Sequence, residues 1–212
     1  MRFTIRIRRG INRLIKGLAG AEGSEIIEFA VSLPLLLVMV VAIYDFGSAF
    51  VLKEKIGIIA REGARFASNL PSTDLLPTGT SCATVASICS VRDAVDAALV
   101  ANKLNDCALA AAVPQLGNPV SASAPLSWYF KTTSRTNGCP NDLILIVDRG
   151  AFYTTTLTIN PTNPTYTIEA TKLTLTYPYS WTFNRVITLI ASGTNYLGTS
   201  ELTEAATMQD LN

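Results

Sequence analysis

The stretch GSEIIEFAVSLPLLLVMVV, residues 23–41, places Gly23, four intervening residues and then Glu28 and Phe29 at the mouth of a long apolar run. A carboxylate at the centre of a bilayer costs about 2.5–3.5 kcal/mol, so Glu28 must sit at headgroup level or meet a cation. Asp45 lies 17 residues further on, roughly 25 Å along a helix. That position makes it an interfacial acid or a lateral polar contact between subunits. The other reactive groups are thiols: Cys82, Cys89, Cys107 and Cys139, all beyond the apolar run. An even count in one region points to two disulfides and an oxidising compartment. Three pairings are open and sequence alone does not decide among them; the one favoured is a tight local Cys82–Cys89 loop with Cys107–Cys139 tying the helix to the segment before the first strand. The gaps do not match the paired spacing of a zinc site. The chain has no histidine, which removes Ser-His-Asp and Cys-His catalysis. It also has no Gly-x-Ser-x-Gly, no phosphate loop and no paired acids. No enzyme activity, cofactor or metal is expected.

These groups need elements to hold them. The 212 residues are enough for one domain and an accessory segment. From Phe29 to Leu52, 24 residues carry one charge, Asp45. As a helix they would reach about 36 Å, enough to cross a bilayer. Pro34 interrupts this run early; a proline removes one helical hydrogen bond, which membrane helices tolerate when neighbours compensate. Residues 1–23 hold six basic residues and one acid, a bias that keeps the leader in the cytoplasm. A secretory signal peptide would carry its apolar region before the cut, whereas here it follows the small residues of positions 19–21. Residues 69–212 hold seven basic and ten acidic residues, a net of −3, which argues against a nucleic-acid partner. The expected topology is single-pass, with the N-terminus inside and the cysteine-bearing domain outside.

The order of basic leader, Gly23, four residues, Glu28, Phe29 and membrane run resembles the type IV prepilin class. EFAVSLPLLLVMVVAIYDFG, residues 28–47, followed by AREGARFAS, residues 60–68, is similar to the TadE/TadG-like pseudopilins of tight-adherence (Tad) pilus systems. LTLTYPYSW at 173–181 and AATMQ at 205–209 resemble closing segments of that family. The resemblance implies cleavage between Gly23 and Ser24 by a prepilin peptidase, with the apolar helix retained. Glu28 then becomes the fifth residue of the mature chain, and its cation is the N-terminal amine of a neighbour. Phe29, Pro34 and Asp45 belong to the same assembly segment. The implied partners are the lipid bilayer, the peptidase, other pilins or pseudopilins and the inner-membrane assembly platform. The implied location is the bacterial cytoplasmic membrane, or a pilus. The family often has Glu before Phe-Gly and a basic residue after it; Asp45 and Ser48 stand there instead.

The organisation expected is a leader (1–23), a transmembrane and stem helix (24–68), a linker (69–86) and an extracytoplasmic α+β domain (87–212). In the stem, Gly57, Ala60, Ala64 and Ala67 make a thin stripe of small side chains. Ile56, Ile59, Gly63 and Phe66 make a bulkier one. Either can pack on the chain's own domain or on neighbouring stems. Beyond the linker, Ser90 with Asp93 reads as an N-cap, opening a helix that runs to about Val113. Residues 114–142 read as irregular. LILIV (143–147) reads as a central strand and AFYTTTLTI (151–159) as an amphipathic one, before a turn at 160–164. In TYTIEATKLTLTY (165–177) the apolar phase switches, implying a bulge near Thr171–Lys172. WTFNRVITLIAS (181–192) reads as a short helix or apolar cap, and 200–208 as a last strand. The fold class is α+β: a long N-terminal helix, then a helix packed on a small antiparallel sheet. The functions that fit are a pseudopilin or minor pilin, or an uncleaved single-pass anchor carrying an adhesion or binding domain.

Overall fold

A computed structural model of the chain describes residues 21–75, 78–117, 126–133, 136–156, 165–182 and 199–210. The chain divides into two compact units, Met1–Gly47 with Thr182–Thr194, and Ser48–Trp181 with Asn195–Asn212. The turn expected at 160–164 and most of the apolar segment at 181–192 lie outside the described residues.

Helix α1, Ala21–Ser68, contributes to both units and contains Pro34. Within Glu25–Ser68, an 18-residue window has a mean hydropathy of 2.7 and no buried residue. Apolar side chains stand exposed on every side: Ile26, Phe29, Val31, Leu36, Met39 and Ile43 are all more than half exposed. A helix that is apolar all round belongs in lipid or a large core rather than in water.

In the second unit α1 becomes one-sided. Ile56, Ile59, Ala60, Ala64 and Ala67 are fully buried. They follow helical spacing and join one core with Val91, Val95 and Leu99 of α2, Ala86–Ala101, and with the sheet. Gly63 is the point of closest approach. A β-carbon there would lie 2.8 Å from Leu173 Cδ1 and 2.9 Å from Val95 Cγ2. The two stripes read from the sequence merge into one face against the chain's own domain. Phe66 leaves it and is 42% exposed.

The described strands form an antiparallel meander, β1 (Gln115–Leu116), β2 (Ser127–Lys131), β3 (Ile144–Thr156), β4 (Thr165–Ser180) and β5 (Thr199–Gln209), in that order across the sheet. Leu145 and Val147 of β3 and Leu173 and Leu175 of β4 point into the core. The bulge implied by the phase switch in β4 is carried by its partner. Asp148 pairs with Lys172 and Ala151 with Ala170, so Arg149 and Gly150 both stand opposite Thr171. The pairing of β4 with β5 runs from Ala170–Gln209 to Ser180–Thr199 without a shift.

Three local expectations are corrected. Helix α2 opens at Ala86, and its cap is remote: Asp74 accepts the backbone N–H of Ser87 at 2.6 Å. Ser90 instead donates to the Ala86 carbonyl, inside the helix. The helix stops at Ala101 rather than near Val113. Lys103, Cys107 and Ala108 then take left-handed backbone angles, the chain turns, and a short 3-10 turn follows at Leu109–Ala111. This turn delivers Cys107 to Cys139. Finally, 114–142 is not wholly irregular, because β1 and β2 lie within it. Trp128 of β2 is fully buried and donates its indole N–H to the Gly79 carbonyl at 3.0 Å, tying down the linker.

Candidate functional site

The helix begins at Ala21, so the Gly23–Ser24 bond lies in its first turn. Glu28 is exposed, and Phe29 beside it is 65% exposed. One turn on, Ser32 Oγ donates to the Phe29 carbonyl at 3.2 Å, just ahead of Pro34. A proline at position i cannot donate to the carbonyl at i−4, which here belongs to Ala30. Asp45 differs from these: it is 1% exposed, off the helix's outer surface. The outward-facing group at the start of α1 is therefore a carboxylate and an aromatic ring on an apolar rod.

Ser48 shares a 2.6 Å hydrogen bond with the Tyr179 hydroxyl of β4. Further along, α1 and β5 flank an open groove of about 540 Å³. Lys53 pairs with Glu204 across it at 3.4 Å. Gly57 faces the Glu204 side chain, whose Cγ is 3.7 Å from a β-carbon built there. Lys55 donates to the Asn102 carbonyl at 3.2 Å, where α2 ends and its dipole favours a cation.

The end of α1 is held by a residue that sequence reasoning missed. Arg149, 2% exposed, donates from Nη1 to the Ala67 carbonyl at 2.6 Å and from Nη2 to the Leu70 carbonyl at 2.9 Å. Helix C-termini leave carbonyls unpaired and partly negative, and the guanidinium fork answers both needs. Burial lowers the Arg149 pKa, opposed by Asp210, Asp74 and Glu169. The signal for this role was present as DRG, residues 148–150, interrupting an apolar strand. The bulge is what turns Arg149 from the sheet toward the helix end.

All four cysteines are paired, Cys82 with Cys89 and Cys107 with Cys139, the favoured one of the three open pairings. Among the described residues, no cluster of three or more acids and cysteines could hold a metal ion.

With this geometry in place, the chain's N-terminal rod defines a class of protein: an apolar anchor helix continued as a stem into a disulfide-linked α+β domain. Residues 23–65 match the family model for TadE-like proteins. The match begins at Gly23 and ends within the stem, and the two C-terminal stretches with a resemblance fall outside it. Neither the curated proteins nor the solved structures compared contain a match to the chain.

Proposed function

We propose that this chain is a membrane-anchored pseudopilin or minor pilin of a Tad-type pilus assembly or a related secretion system. The observation that carries this reading is the TadE-like match over residues 23–65, a segment most of whose large apolar side chains are exposed through the anchor. In this reading a prepilin peptidase cuts after Gly23 on the cytoplasmic side, and the freed ammonium of Ser24 starts the mature chain. Because Glu28 and Phe29 face outward, they are available to other subunits. An apolar surround strengthens a carboxylate–ammonium contact, so Glu28 takes a neighbour's N-terminal amine and sets axial register. The domain lies outside the cytoplasmic membrane, consistent with its disulfides. Its role is structural, with other pilins, pseudopilins and the inner-membrane platform as partners.

The test is Glu28→Gln in the native host, which keeps size and removes charge. Membrane extraction should show normal insertion, while cross-linking to pilus subunits is lost. Normal cross-linking in the variant would refute the role given to Glu28.

A second reading keeps the leader and makes the chain a single-pass anchor for a binding domain. What favours it is that α1 is helical across the Gly23–Ser24 bond, whereas a peptidase needs that segment unwound. The TadE-like match starting at Gly23 favours the first.

A further inference from the structure

We propose that the end of the sheet formed by β4 and β5 rests on the lipid surface through Tyr179 and Trp181, giving the outer domain a second contact with the bilayer besides its helix. The inference rests on the membrane-anchored reading above. Tyr179 is bonded through its hydroxyl to Ser48 at 2.6 Å. Ser48 lies four residues before Leu52, where the 24-residue apolar run ends, so Tyr179 sits about 6 Å to the bilayer side of that end. The Trp181 ring packs edge-on against Tyr179, with centroids 5.0 Å apart and planes at 90°. Its indole N–H donates to Ser200 Oγ at 2.6 Å, and β4 and β5 pair at this level through Tyr179–Ser200 and Ser180–Thr199.

Both aromatic residues are part-exposed. Their polar tips are satisfied inside the protein, so what they offer outward is ring surface. At the same level of α1, Phe50 is 70% exposed and Val51 55% exposed. Lys53 and Glu54 follow within one turn, marking where water begins. Tyr and Trp with apolar bodies and hydrogen-bonded tips are the side chains that collect at the lipid–water boundary. Lipid is the occupant that the level selects: Phe50 and Val51 follow Ser48 within one helical turn and present exposed apolar side chains at the height where Ser48 holds Tyr179.

The experiment reads tryptophan emission from the full chain in phosphatidylcholine vesicles whose acyl chains carry bromine either near the headgroup or near the bilayer centre. Trp128 is fully buried and serves as the unquenched reference. Shallow bromine should quench wild type and Trp128→Phe more than deep bromine does, and Trp181→Phe should lose that response. Comparing wild type with Trp181→Phe gives the answer even where Trp128→Phe folds poorly. Emission from Trp181 that ignores both lipids overturns the proposal. Leu36→Trp in the Trp181→Phe background separates the two claims. Quenching of the introduced indole by deep bromine shows the anchor inserted, so a silent Trp181 in the wild type then counts against this inference alone. An introduced indole that ignores both lipids brings down the anchor reading and the inference with it.

Discussion

Arg149 shows how much one side chain can hold in this domain. It is buried, caps the carbonyls that end α1, and stands among Asp74, Asp210 and Glu169. Replacing it with methionine takes the guanidinium donors away from the Ala67 and Leu70 carbonyls and removes the cation those acids face. Hydrogen bonds to charged groups contribute about 1.5–3 kcal/mol, so Arg149→Met should lower unfolding free energy by about 3 kcal/mol in a urea titration. Arg149→Lys should recover only part of this, because an ammonium lacks the planar fork. Asp96 makes a pH prediction. Burial, and then the charge of Asp106, raise its carboxyl pKa above the ordinary 3.8. The folded state therefore holds this proton more tightly than the unfolded chain, and stability falls as pH rises from about 3.8 through the raised native value. Asparagine keeps an oxygen for the Ala110 N–H, now accepted by Asp96 at 3.3 Å. Asp96→Asn should melt above wild type at pH 7, with the gap closing as pH falls toward 3.8. A gap independent of pH would show that burial does not govern this group.

At the scale of elements, two glycines of α1 predict opposite outcomes. Gly63→Ala drives a methyl to within 3 Å of Leu173 and Val95. Overpacking costs about 1–3 kcal/mol, and the helix-propensity gain of about 1 kcal/mol does not offset it. At Gly57 the nearest atom is 3.7 Å away, so Gly57→Ala should stabilise by about 0.5–1 kcal/mol. Differential scanning calorimetry of both variants checks the pair. The same elements show what sequence reading reaches. The long helix was legible because 24 apolar residues and a run of small stem residues repeat one signal many times. The register break near Thr171 was legible from the switch of apolar phase in β4. The cap of α2 was not, because Asp74 reaches it from 13 residues upstream, and local spacing favoured Ser90. Nor was the early end of α2: apolar spacing continues toward Val113 while left-handed residues and the Cys107–Cys139 link turn the chain aside. β2 is five residues long in a Pro/Ser/Asn-rich stretch, and its burial comes from tertiary packing. At the candidate site, the Gly23–Glu28 spacing was readable, whereas the contact of Ser48 with Tyr179 joins residues 131 apart.

For the whole molecule, an apolar helix, matched by the TadE-like family model over residues 23–65, continues as a stem that enters the core of the α+β domain. The stem is not a free rod. Its small residues Ala60, Gly63, Ala64 and Ala67 pack against the chain's own sheet and α2. The central claim is that this segment is a processed prepilin-type N-terminus. The most direct test is the N-terminal mass of the protein isolated from its native host with the prepilin peptidase present. A mature chain beginning at Ser24 is the predicted result, with Gly23→Leu blocking the cut while membrane insertion persists. A chain still beginning at Met1 would contradict the claim and leave Glu28 an interfacial charge on an uncleaved anchor.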